Sequence, residues 1–340
     1  MNNRNITIDV VRGFAMLLVV LGHTISVKEY SDSLLFQAIW TLQMPLFIVI
    51  SGYVTRYSRP LVDSSSLWKF VKKRTLAYLL PWGVWTIVVR GLIFGQQNML
   101  NIKNLLWHMD NGYWFLVTIW TISMIYGISD LLSNKWFKER KMNVFAHLFF
   151  CGIGLIGLAV IGYFMGLDFL AIKLTLYYLP IYLLGYMYGQ IQNWVIARAN
   201  GKCFINIMIV ASFALWLAAI NRFDFFAGGD NVMMIIGRFI TSSLGCIAVI
   251  GLFINIMGGE KFKVLNWTGV HSLEVYLTHY LFLNLVPALH QPVLASMEGI
   301  FAIAINYLLT LALTVMVIKM AQSNSILNYL LYAKRESTKS

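Results

Sequence analysis

Arg12 and His23 stand eleven positions apart in "IDVVRGFAMLLVVLGHT", residues 8–24, a greasy stretch whose only other charged side chain is Asp9. The two residue types suit the two ends of one chemistry. A guanidinium grips phosphate through two parallel hydrogen bonds. A neutral imidazole takes a proton from a hydroxyl. On a helix, eleven residues bring His23 back to within about 20° of Arg12 around the axis and about 16 Å along it. A molecule with phosphates at one end and a reactive group on a long thin arm would span that distance; coenzyme A is one. The pair alone leaves a second reading open, in which Arg12 snorkels to the headgroups and His23 caps a turn or meets a neighbour's carbonyl.

Further polar residues sit in equally apolar surroundings. Glu274 needs a partner inside a membrane, and a pairing with Arg12 is expected, orienting the arginine for phosphate. Asp9 lies about 21 Å from His23, too far to hold its tautomer, and so counts as support at the Arg12 end. Ser272, Tyr276 and His279 are spaced to share one helix face, which suits either a channel lining or a helix–helix seam. His108, Asp110, Tyr113 and Trp114 combine polar and aromatic groups, as a sugar site does; Trp107 reads as an interfacial belt residue. Tyr276 or Trp114 could supply an oxyanion hydrogen bond. Arg90, Arg222 and Arg238 fall near the outer helix ends, and His147 and His290 read as surface residues. Cys151, Cys203 and Cys246 are scattered small apolar residues. No metal-ligand spacing, Gly-rich phosphate loop or serine elbow is present.

The elements that must position these groups are membrane helices. Of 340 residues, 59% are hydrophobic and 12% charged, where a soluble domain carries about 25% charged residues. Ten spans of about 20 residues are expected: 6–27, 34–56, 70–94, 113–132, 143–165, 171–190, 203–221, 232–257, 270–289 and 296–320. The sixth contains Pro180, and the ninth contains Glu274 and His279. The net charge of +12 is not a nucleic-acid signature, because Lys and Arg concentrate in alternate loops: Arg56 to Arg74, Lys135 to Lys141, Arg198 and Lys202, Lys261 and Lys263, and the C-terminus. By the positive-inside rule both termini are cytoplasmic. The first helix lacks a small-residue cleavage site and is kept as a mature span. The expected architecture is an all-α integral membrane bundle over 1–333 with a short cytoplasmic tail at 334–340.

The opening stretch resembles the acyltransferase-3 family of integral membrane acyltransferases, whose signature is an arginine, ten residues and a histidine in the first of ten helices. Arg12 and His23 fit it, with Asp9 and Gly13 in the usual surroundings. "MPLFIVISGY" (44–53), "KFVKKRTLAYLLP" (69–81), "YWFL" (113–116) and "SLEVYLTHYLF" (272–282) resemble later family segments in the same order, so the resemblance covers nearly the whole chain. One position departs. Members often carry Arg-x-x-Arg before the proline of the third helix, and here Arg74 is followed by Ala77, so a phosphate grip there would fall to Arg74 with Lys72 or Lys73.

The resemblance implies a membrane O-acyltransferase of the cell (plasma or inner) membrane. It would move an acetyl group from cytoplasmic acetyl-CoA to a carbohydrate hydroxyl of a cell-surface glycan or its lipid-linked precursor. His23 would be catalytic. Arg12, Lys72, Lys73, Arg74, Tyr276 and His279 would hold the coenzyme. Asp110, Tyr113 and Trp114 would meet the acceptor, with Glu274 and Asp9 in support. Partners would be acyl-CoA, the glycan and membrane lipids, with no nucleic acid and no metal; a second copy of the chain is an open partner. His23 could deprotonate the hydroxyl for direct attack or itself carry the acyl group. The rival is a transporter or exporter of a lipid-linked or polymeric sugar, which ten helices and buried charges also suit; a non-catalytic scaffold gives the buried charges no purpose.

Overall fold

The computed structural model describes residues 5–27, 33–109, 113–197, 201–220, 222, 231–257, 259–286 and 296–334, and among these every regular element is helical. Nine helices among the described residues are long and apolar enough to cross a membrane. They correspond to every expected span but the ninth: α1 (Ile6–Val27), α2 (Leu34–Tyr53), α3 (Ser64–Gly83), α5 (Trp114–Trp136), α6 (Arg140–Met165), α7 (Ile172–Ile196), α8 (Gly201–Ala219), α9 (Val232–Gly251) and α12 (Met297–Gln322). The short α4 (Ile102–Trp107) and α13 (Ser325–Tyr332) complete the long-helix frame. An all-α membrane bundle is therefore what this composition builds, since only helices satisfy their own backbone in lipid without closing a barrel.

The expected ninth span is built in pieces: α10 (Lys263–Val270), α11 (Ser272–Thr278) and a 3₁₀ turn, His279–Phe282. The break falls at His271 (φ −107°, ψ 21°), whose Nδ1 lies 2.9 Å from the Trp267 carbonyl. A helix that stops early strands backbone groups, which lipid cannot satisfy. Here α12 supplies the partners. Asn306 Nδ2 donates to the Val286 carbonyl (2.7 Å), its Oδ1 accepts from the Val286 N–H (2.9 Å), and Thr310 Oγ1 donates to the Phe282 carbonyl (2.8 Å).

The chain divides into two compact units, residues 1–56 with 184–320, and residues 57–183 with 321–340. In the first, α1 lies against α10, α11 and α2. The α1–α10 approach is backbone to backbone: a Cβ on Gly13 would overlap the Leu265 carbonyl, and one on Gly269 would overlap the Asp9 carbonyl. Glycine is what lets two helices meet so closely in lipid. Replacing Gly269 by alanine should cost about 3 kcal/mol, the upper end of overpacking, because backbone cannot move aside as a side chain can. Reversible unfolding in mixed micelles would measure it, against Gly83→Ala, where a Cβ meets nothing within 4 Å.

In the second unit, α3 opens on a capping box in which Asp63 accepts from the Ser66 N–H (2.7 Å) and the Ser66 hydroxyl is returned to the Asp63 backbone. The Ser66 bonds hold the exposed Asp63 carboxyl below its ordinary range. This cap fixes where the helix carrying Lys69 to Arg74 begins. Beyond Pro81, which cannot donate to its preceding turn, the helix widens into π geometry over Val84–Ile93.

Candidate active site

α1 runs unbroken from Ile6 to Val27, so the helical arithmetic linking Arg12 and His23 holds. Three rings converge on His23: Tyr280 at 4.7 Å between centroids, His279 at 5.4 Å, and Trp40 edge-on at 6.5 Å. Tyr280 Oη lies 2.8 Å from His23 Nε2. With the phenol donating, Nε2 accepts, and the proton of a neutral His23 sits on Nδ1. Tyr280 is 38% exposed while His279 is fully buried, so the phenol is the half of the pair that can give way to a ligand.

The tautomer of His279 follows from its partner. Its Nδ1 is 2.9 Å from the Val275 carbonyl, which can only accept, so Nδ1 carries hydrogen and Nε2 of the neutral ring is a bare acceptor. That Nε2 is buried and has no hydrogen-bond partner among the described residues. The same holds for Gln43 Oε1, which lies against Gly22, the residue before His23, where a Cβ would come within 2.6 Å of it. Two buried acceptor atoms thus stand on the elements packed around the end of α1 that bears His23.

At the other end of α1, Arg12 Nη1 lies 3.5 Å from Asp9 Oδ1. Asp9 is buried and 29% of the Arg12 side chain is exposed, an arginine steadied by an internal carboxylate but still reaching out. Glu274 is wholly buried on α11, which packs on α1. Tyr276 is buried with its ring 6.2 Å from that of His279, and Ser272 is half-buried at the start of α11.

The remaining expected residues belong to the second unit. The basic trio divides: Lys72 and Lys73 are exposed, while Arg74 turns inward. Its Nη1 donates to the Tyr78 hydroxyl (3.1 Å), and its guanidinium lies 5.2 Å from the Phe70 ring centre. Trp114 is half-buried and stacks on Tyr178 at 5.6 Å, whereas Tyr113 is fully buried, edge-on to Trp85 at 6.0 Å. Asp110 and His290 lie outside the described residues. His147, expected at the surface, is instead fully buried, 5.0 Å from the Tyr126 ring and with Nε2 3.6 Å from Cys151 Sγ. The apolar residues around it on α6 gave no sign that α5 covers that face.

Sequence reasoning missed Tyr280, Trp40 and Gln43. Tyr280 follows His279 directly in "LTHYLF", but a face drawn through 272, 276 and 279 at α-helical pitch excludes it. The change to a 3₁₀ turn at His279 alters that rotation. Trp40 and Gln43 are three apart on α2 and read as ordinary apolar packing and a stray amide.

Two curated relatives are similar, both described as nodulation protein NolL. That of Sinorhizobium fredii (strain NBRC 101917 / NGR234) is 26% identical over 203 residues, covering 56% of this chain and 50% of the relative. That of Mesorhizobium japonicum (strain LMG 29417 / CECT 9101 / MAFF 303099) is 27% identical over 230 residues, covering 64% and 57%. The chain therefore spans about half the length of the curated relatives it matches. No solved structure matches it. The profile of the family described as "Acyltransferase domain" matches residues 5–319, from the start of α1 through α12. That range takes in nearly the whole helical frame, and the chain belongs to the acyltransferase-3 family of multi-pass membrane acyltransferases.

Proposed function

We propose that this membrane acyltransferase takes its acyl group, an acetyl group, from cytoplasmic acetyl-CoA and delivers it to a carbohydrate hydroxyl of a cell-surface glycan or its lipid-linked precursor. The observation that carries the reading is the Tyr280 hydroxyl 2.8 Å from His23 Nε2: a hydroxyl can reach that nitrogen at hydrogen-bonding distance. An acceptor alcohol replacing the phenol there would be held for deprotonation. Buried Gln43 Oε1 and His279 Nε2 are both acceptors lacking partners among the described residues, so the ligand that completes them brings donors, as a polyol does.

In the transfer, the acceptor O–H passes its proton to His23 Nε2 as its oxygen attacks the thioester carbonyl. The tetrahedral intermediate expels the thiolate, breaking the C–S bond, and the thiolate takes the proton back from the imidazolium. Arg12, steadied by Asp9 and Glu274, meets the phosphates at the cytoplasmic mouth. By residue type and motif, Lys72, Lys73 and Arg74 are the further phosphate ligands and Trp114, with Asp110, the sugar platform. Both termini face the cytoplasm in this reading, as the loop charges require.

The test is consumption of the donor. Purified chain given acetyl-CoA and a candidate glycan should release one free thiol for each ester formed, followed with a thiol reagent and by mass increase of the glycan. Sugar crossing a vesicle membrane with no thiol released would instead mark an exporter.

A further inference from the structure

A thioester beside an uncovered base faces a second acceptor, water, at a far higher concentration than any glycan. A site that handles reactive acyl groups must keep water from that base. Here the base is already covered. In a neutral imidazole one nitrogen carries the proton and the other accepts. His23 Nε2 is the acceptor, and the Tyr280 hydroxyl holds it at 2.8 Å. The Tyr280 ring also packs on both histidines, its centroid 4.7 Å from that of His23 and 4.4 Å from that of His279.

Water is a poor competitor for that nitrogen. The phenol belongs to the fold, whereas a water must be immobilised to replace it. The backing of the phenol is firm, since His279 is fully buried and its Nδ1 is bound to the Val275 carbonyl at 2.9 Å. A glycan competes on other terms. Buried Gln43 Oε1 and His279 Nε2 lack partners among the described residues. A molecule with several hydroxyls gains further hydrogen bonds there on entering, while one water at Nε2 gains only the bond that the phenol loses. Tyr280 can yield to such a molecule. It stands in the 3₁₀ turn His279–Phe282 and is 38% exposed, so its side chain can turn outward without opening the core.

We propose that Tyr280 selects the acceptor against water: its hydroxyl caps His23 Nε2 until a polyhydroxyl acceptor displaces it. This rests on the acyl-transfer reading above and adds to it the control of hydrolysis. In the suppressed reaction a water passes one proton to His23 Nε2 as its oxygen bonds the thioester carbon. The C–S bond breaks, and the thiolate takes the proton from the imidazolium, leaving acetic acid and free coenzyme A. Tyr280 is thus a positioning residue that acts through His23.

Thiol release by the full-length chain in detergent, given acetyl-CoA alone, tests this. The wild type should release little, and Tyr280→Phe should release about tenfold more, the worth of one hydrogen bond to the base. In the same variant, transfer to an alkali-treated glycan extract of the cells that make the protein should fall. A merely damaged site would lose both activities together. His23→Ala/Tyr280→Phe should show no gain, because the water too needs the imidazole. Four results would overturn the proposal: acceptor-free release unchanged or lowered in Tyr280→Phe, a gain that survives the loss of His23, transfer that rises together with hydrolysis, or acetyl found on Tyr280 by peptide mass spectrometry. With a wild type that still acetylates the extract, any of these leaves the transfer reading standing. A wild type that acetylates nothing in the extract would overturn that reading itself, and this proposal with it.

Discussion

Replacing His23 by alanine should lower turnover by about 10²- to 10⁴-fold, the range a positioned general base contributes, while the protein still folds. His23 is only half-buried and its ring nitrogen meets the phenol of Tyr280, so its loss opens no large core cavity. Thiol release from acetyl-CoA in the presence of acceptor measures the first effect; the elution profile and unfolding midpoint in detergent measure the second. Tyr280→Phe separates the base from the group beside it. It removes the 2.8 Å contact but leaves Nε2 in place, and should cost about tenfold, in line with the net worth of one hydrogen bond. Were Tyr280→Phe as damaging as His23→Ala, the phenol rather than the imidazole would move the proton. Radioactive acetyl-CoA incubated without acceptor settles the order of events: direct attack leaves the protein unlabelled, and an acyl-histidine does not.

Arg12→Ala should weaken acetyl-CoA binding by about 10- to 100-fold, the roughly 1.5–3 kcal/mol of one charge-assisted hydrogen bond. Because Asp9 is buried beside Arg12, the single substitution also removes a cation from beside a buried carboxylate, so the double variant Asp9→Asn/Arg12→Gln belongs in the same experiment. The decisive comparison uses acetyl-pantetheine, a thioester with the same arm but no phosphate. Wild type and Arg12 variants should use it equally well. A loss on acetyl-pantetheine as large as that on acetyl-CoA would show that Arg12 supports the fold rather than reading phosphate. A variant that largely unfolds, with a folded remainder binding acetyl-CoA at full strength, would show the same.

Much of this arrangement was legible in the sequence, and the exceptions share a cause. Apolar runs of about 20 residues located nine long helices because each satisfies its own backbone, a property local to the segment. The described part of the expected span 270–289 is not one continuous helix: it breaks at His271, and the groups at its far end are held by Asn306 and Thr310, about 20 residues or more downstream. No window average registers a hydrogen bond from another helix. The spacing expected between Arg12 and His23 carries over because their helix is unbroken. Tyr280 was missed because the helix it was projected onto changes pitch one residue before it. The Asp9 contact to Arg12 is a simple i, i+3 pair, a spacing local to one helix. Lys72, Lys73 and Arg74 look equivalent in sequence, but burial separates them, since Arg74 has Tyr78 and Phe70 at reach.

The clasp of Asn306 and Thr310 on the end of the segment that carries His279 and Tyr280 also bears on how the protein is made. A nascent chain emerges from its N-terminus, so α1 is threaded into the bilayer long before residues 263–286, and those before α12. Until α12 arrives, the carbonyls of Phe282 and Val286 lack the donors Thr310 and Asn306. The segment packed beside His23 is thus clasped only after α12 has emerged.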